Sequence, residues 1–190
     1  MRIKIFVLLC LTAIMQFTNV TPLKASHYYY KQLSLKDGVT SAVRCILTDK
    51  QGFVWIGTKA GISRYDGHEL KKYVHSPNNP HSIPNNLIHQ IAEDEMSNIW
   101  ILTDKGIARY QRQSDDFFLP TDEKGNPIIA YSTCLTKDGV LFGSKDKVYF
   151  YSYRDSSLRL LQKLNKGSNF NISLLSLWNE HTVLCCSRWQ

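Results

Sequence analysis

The chain has 190 residues, 43% of them apolar and 21% charged, with 23 Lys and Arg against 16 Asp and Glu for a formal net charge of +7. That length suits a single domain. Its five cysteines show no Cys-x-x-Cys spacing and no nearby His pair, which argues against a zinc module, and the lack of any run of five or six like charges argues against a nucleic-acid or membrane-surface footprint.

Read from the N-terminus, Arg2 and Lys4 precede an uncharged apolar run from Ile5 to Phe17, and polar Thr18-Asn19-Val20-Thr21-Pro22 comes after it. This layout predicts a signal peptide: the run falls short of the roughly 20 residues that cross a bilayer as a helix. Cleavage after Ala25 removes Arg2, Lys4 and Lys24, lowering Lys and Arg from 23 to 20 against 16 acids, a mature net charge of about +4. The expected location is periplasmic. Tyr28 to Leu33 then reads as a lone strand ahead of the first repeat.

From Val43 an internal repeat governs the chain. The segment Val43 to Tyr65 returns 45 positions later: Ile46 becomes Ile91, Asp49 becomes Asp94, Trp55 becomes Trp100, Thr58 becomes Thr103, Gly61 becomes Gly106, and Arg64-Tyr65 becomes Arg109-Tyr110. A weaker third copy runs from Cys134 to Tyr151 with Leu141 in the place of Trp100, and a fourth begins at Ile172 and stops short. Periods of 41 to 45 residues belong to four-stranded propeller blades. Within the first copy, Val43 to Thr48, Phe53 to Thr58, Ile62 to Tyr65 and Glu69 to Val74 read as strands. Asp49 to Gly52 supplies one turn, Lys59 to Gly61 another, and Asp66-Gly67 a two-residue hairpin. The predicted fold is therefore all-β, an incomplete ring of about three and a half blades at 43–74, 88–119, 131–161 and 172–190.

The repeated residues have structural reasons. Trp55 and Trp100 each offer a large apolar face for packing blade on blade. Asp49 and Asp94, with Gly52 in the first copy, suit turns; Arg64 and Arg109 suit hydrogen bonds between strands or blades. Cys45 and Cys134 occupy equivalent places in alternate repeats, too far apart for a disulfide, and read with Cys185 and Cys186 as small apolar side chains.

The run Asp49 to Gly67 resembles the two-component regulator propeller repeat, and Leu33 to Val39 resembles its usual lead-in. The match is specific in the first copy and good in the second, where Ser97 and Leu102 replace Gly52 and Gly57; in the third, the Trp, the second Gly and the Arg are gone. The resemblance implies the N-terminal periplasmic sensor region of a hybrid two-component histidine kinase, of the kind that detects oligosaccharides and controls polysaccharide-utilisation genes. Its implied partners are an oligosaccharide ligand, further propeller blades and a kinase; a homodimer is compatible with it, and no nucleic acid, cofactor or metal is called for. No kinase part is legible after residue 25, so no enzyme activity is expected of this chain. A remnant of an interrupted sensor gene, and a propeller lyase or glycosidase, are the competing readings.

Acid and histidine candidates give no catalytic constellation. Asp115-Asp116 and Asp122-Glu123 lie in expected loops, Glu93-Asp94-Glu95 alternates across a strand, and His75, His81 and His89 lack metal-ligand spacing. A ligand surface is expected on the longest blade connections, Ser76 to Asn86 and Ser114 to Ala130, with no ligand residue assigned. The aromatic residues Tyr28, Tyr29, Tyr30, Phe117, Phe118 and Tyr131 fit a sugar platform or a core equally well. An incomplete ring leaves an apolar sheet face open, which predicts poor solubility.

Overall fold

The computed structural model describes residues 32–33, 42–164, 171–179 and 182–188. The expected signal peptide, nearly all of the expected strand at Tyr28 to Leu33 and most of the lead-in lie outside the described residues. Two compact units divide the chain, 1–32 and 33–190; only Gln32 of the first is described, and all the strands belong to the second.

Among the described residues every regular element is a strand. The first four are β1 (Val43–Thr48), β2 (Val54–Thr58), β3 (Gly61–Tyr65) and β4 (Leu70–Tyr73). They are succeeded by β5 (Ile88–Glu93), β6 (Ile99–Thr103), β7 (Gly106–Gln111) and β8 (Asp116–Phe118). A third set is β9 (Ser132–Leu135), β10 (Gly139–Gly143), β11 (Lys147–Ser152) and β12 (Leu158–Lys163), and the last pair is β13 (Asn171–Asn179) and β14 (Thr182–Arg188). Each set pairs in chain order, giving three four-stranded antiparallel sheets and one two-stranded sheet. This is the propeller blade repeated three times, then begun again, in an unclosed ring.

Some turns differ from expectation. Asp66-Gly67 sits inside a four-residue loop, because Tyr65 pairs with Leu70 and the Asp66 carboxylate accepts the amides of His68 and Glu69. The connection read as Ser114 to Ala130 is interrupted by β8, which leaves residues 119–131 between the second and third blades.

Strand register fixes which repeat positions correspond. Trp55 lies opposite Arg64, Trp100 opposite Arg109, and Leu141 opposite Phe150. Gly143 therefore stands where Gly57 stands, so the third copy keeps that glycine. The space explains why: a Cβ on Gly57 would come within 2.8 Å of Ile88 of the next blade, and one on Gly143 within 2.7 Å of Ile172. In the second blade Leu102 fills this position, buried in a cluster with the small Ala130. Register also corrects the cysteines. Cys45 faces Gly57, whereas Cys134 faces Leu141 and so corresponds to Leu47. Cys45, Cys134, Cys185 and Cys186 are all free thiols; Cys134 is buried, Cys45 and Cys185 are half-buried, and Cys186 is exposed, unlike the small apolar role expected of it.

Ser97 takes the place of Gly52 in the second β-hairpin turn and keeps its left-handed backbone, with φ 61° against 89°. An L side chain costs roughly 1–2 kcal/mol in that region. Ser97→Gly is accordingly expected to raise stability by about 0.5–1 kcal/mol after the entropy glycine loses, measured as a higher urea midpoint with unchanged slope.

Candidate functional site

The recurring positions of the repeat build joints between blades. In the first joint Asp49 Oδ1 accepts the amides of Gln51 and Phe53 while Oδ2 accepts Trp55 Nε1–H at 3.0 Å, so one carboxylate holds both turn and indole. The Trp55 ring meets Tyr110 of the next blade edge-on at 4.8 Å. Arg64 lies 5.8 Å from the Trp55 ring centre and 5.6 Å from that of Tyr110, and donates to the Tyr110 hydroxyl. The second joint repeats this geometry. Asp94 accepts Trp100 Nε1–H at 2.8 Å, Trp100 meets Tyr151 at 4.7 Å, and Arg109 donates to the Tyr151 hydroxyl at 2.7 Å.

The remaining motif residues also serve the fold. Thr58 and Thr103 donate to the carbonyls of Gly61 and Gly106 and so close the β2–β3 and β6–β7 turns. Tyr65 donates to the Gly67 carbonyl within its own blade. Arg112 adds a brace that the repeat alone does not announce: it reaches across to Asp49 at 3.0 Å and to Gln51 at 2.8 Å. In the third blade Tyr153 holds the corresponding place; its hydroxyl is buried, and burial together with the nearby Asp94 raises its pKa.

Asp115 is the hub of the first joint. From a left-handed position at φ 55° its carboxylate accepts Tyr73 at 2.6 Å, Tyr110 at 2.5 Å, Arg64 at 3.3 Å and the Lys71 ammonium. Burial alone would push this carboxyl up, but donation by Lys71, Tyr110 and Tyr73 and the Lys71 charge outweigh it and bring its pKa down to about 2. Burial and the facing carboxylate push the Tyr110 hydroxyl up.

Several other acids and histidines are also engaged by their neighbours. Asp116 accepts Ser114 and Gln111, and Asp122 caps its own turn by accepting the amides of Lys124 and Asn126. His75 Nδ1 lies 2.8 Å from the Ile83 carbonyl, and His89 Nε2 lies 2.9 Å from Asp104. Among the described residues no three His, Cys, Asp or Glu side chains are grouped to hold a metal ion.

A meander of antiparallel strands divides its turns between two rims. The β1–β2 and β3–β4 turns and their equivalents share one rim; the β2–β3 type turns and the connections between blades share the other. The first rim carries a cavity of about 520 Å³ beside Gln51, Asn98, Gln111 and Arg112, but these side chains are spent on Arg112, Asp94, Asp116 and Asp49. On the second rim the connection 74–87 is braced by its own groups: Ser82 Oγ bonds the carbonyls of Ser76 and Asn79, and Ile83 is fully buried.

The connection 119–131 differs. It folds back through the Thr121–Pro127 bridge and, with the start of β11, encloses two adjoining cavities of about 320 and 220 Å³. Lys147 and Tyr149 line both. Lys124 lines the first, Tyr131 and Lys145 the second. The Tyr131 ring is set against His89, centres 5.9 Å apart, and His89 is tied to Asp104. Tyr131 was legible in the sequence as a candidate platform. Lys147 and Tyr149 were not, because they lie on a strand and carry none of the loop signals that mark a blade connection.

Residues 37–60 match the family model of the two-component regulator propeller. Over 59 residues the chain is 37% identical to histidine kinase P4 of Formosa agariphila, covering 30% of this chain and 4% of that protein. In fold it is similar to the extracellular domain of a proposed hybrid two-component system from B. thetaiotaomicron, with a TM-score of 0.59 at 22% identity over 80% of this chain and 19% of the other. A second structure from that organism, described as the extracellular domain of a proposed one-component system, gives 0.65 at 19% identity over 86% and 25%. Virginiamycin B lyase of Staphylococcus aureus gives 0.51 at 16% over 75% and 48%. The chain thus spans a small part of the relatives it matches. Residues 37–60 thus match the two-component regulator propeller repeat, and the Asp–Trp–Arg joint of that first copy is built again in the second.

Proposed function

We propose that this chain is an extracytoplasmic, ligand-sensing propeller segment of a hybrid two-component sensor that responds to glycans. The observation that carries the reading is the regulator repeat itself, matched in sequence at residues 37–60. Its signature residues are consumed in holding blades together, as expected of a rigid scaffold that presents a binding rim. The similarity to a histidine kinase and to extracellular domains of two-component systems supports a signalling role, and the charged and apolar order of residues 2–17 supports export. Asp94, Asp115, Asp116 and Asp122 serve joints and turns, which favours binding over turnover. Isothermal calorimetry against a panel of polysaccharide fragments tests this: saturable heat with at least one oligosaccharide is expected, and no binding to any of them overturns the glycan reading.

A further inference from the structure

We propose that the second joint holds a binding site for a small organic carboxylate at Arg109 and Tyr151, with the first joint as the template for how such a group is held. The two joints share their Trp, Arg and Tyr, but only the first closes on a carboxylate: Asp115 accepts Arg64 at 3.3 Å and the Tyr110 hydroxyl at 2.5 Å. Strand register locates its counterpart. Tyr110 lies opposite Phe117 and Tyr151 opposite Leu158, so Ser156 stands two residues before Leu158 as Asp115 stands two before Phe117. Both keep a left-handed backbone, at φ 52° and 55°, but the serine brings no charge. Phe118, opposite Arg109, likewise replaces Lys71, opposite Arg64.

Two donors are left over in the second joint. Arg109 gives one N–H to the Tyr151 hydroxyl at 2.7 Å and is otherwise surrounded by rings, its guanidinium carbon 5.1 Å from the centre of Phe118, 5.7 Å from Tyr151 and 5.9 Å from Trp100. Among the described residues it makes no ion pair. Tyr151 is 1% exposed, and its hydroxyl, having accepted Arg109, donates to no described group, whereas Tyr110 in the same role donates to Asp115. The acids flanking these residues are committed elsewhere: Asp94 to Trp100 and Asn98, Asp116 to Gln111 and Ser114, and Asp155 to the amide of Ser157. A guanidinium drawn partly out of water without a counter-charge is costly, and a carboxylate matches its paired donors. Arg109 also lines the first-rim cavity of about 520 Å³, whose lining contains no carboxylate and whose other cation, Arg112, is held by Asp49. Phe118, 38% exposed, offers the carbon body of a ligand an apolar surface beside the charge, which favours benzoate over acetate.

The site is independent of glycan sensing. Its test uses the 190-residue chain, titrated at constant ionic strength with sodium acetate, sodium benzoate, neutral benzamide and sodium chloride. Calorimetry reads binding directly, and the thermal midpoint rises with any ligand of the folded state. Saturable binding of benzoate is expected, weaker binding of acetate, and none of benzamide. Arg109→Gln should weaken benzoate binding about tenfold or more, and Tyr151→Phe about threefold. Ser156→Asp supplies the carboxylate from within, as Asp115 does, and should raise the thermal midpoint while weakening benzoate about tenfold or more, so the result does not hang on a destabilised variant. Asp115→Ser should open the first joint in the same way and raise the benzoate stoichiometry from one to two. No binding of either carboxylate by the wild type, or binding that survives both Ser156→Asp and Arg109→Gln, overturns the site. Chloride or benzamide binding as tightly as benzoate overturns the carboxylate class.

Discussion

Trp100→Ala is expected to lower stability by about 3–5 kcal/mol, as for other large buried aromatic side chains cut to a methyl group. The indole is fully buried and fills the second joint, edge-on to Tyr151 at 4.7 Å and to Phe142 at 5.2 Å. Its removal leaves a cavity between two sheets and deprives the buried Asp94 carboxylate of the Nε1–H donor at 2.8 Å. Trp100→Phe, which keeps most of the apolar area but not the donor, should lose about 1–3 kcal/mol. Chemical denaturation monitored by far-ultraviolet circular dichroism measures both. A loss below about 1 kcal/mol for the alanine variant would mean that the blades are not held by this joint.

The second large effect is expected at Asp115. Asp115→Ala strips the acceptor from Tyr73, Tyr110, Arg64 and Lys71 at once, and two buried tyrosines and a guanidinium lose their common partner. A loss of about 2–3 kcal/mol is expected, with Asp115→Asn intermediate. The pH dependence has a defined sign. The folded pKa, about 2, lies below the ordinary 3.8, so the contribution is complete above 3.8 and is lost as pH falls toward 2. With the side chain 30% exposed, solvent screening limits that contribution to about 1–2 kcal/mol. The charge-dependent part of the stability gap between wild type and Asp115→Asn should therefore be widest near pH 5, largely lost by about pH 2 and gone below it. A gap that stays constant across that range would show that the Asp115 charge adds nothing.

The joints were half legible from sequence. Trp55 and Trp100 recur in register with Asp49 and Asp94, and Arg64 and Arg109 recur with the tyrosines next to them, so a role in every blade could be read before any contact was known. The partner of each could not. Arg64 finds Tyr110, the tyrosine of the next repeat, and that pairing exists only once adjacent blades face each other. Asp115 and Arg112 lie outside the repeated motif and sit in one hairpin of one blade, which is why repeat matching passed over them.

What the sequence determined by itself is periodic and local: strands from alternation and β-branched runs, turns from Asp and Gly, and a blade from four such strands at a spacing of about 45 residues. Only the tertiary structure decided register and neighbourhood. Cys134 proved equivalent to Leu47, because the turn between the first two strands of the third blade is one residue shorter than in the first, a difference that cross-strand pairing reveals. The cavity at Lys147 and Tyr149 likewise belongs to no motif. It arises where a connection folds back over a later strand, bringing side chains distant in sequence, such as Lys124 and Lys147, to one surface, a closeness that chain order does not encode.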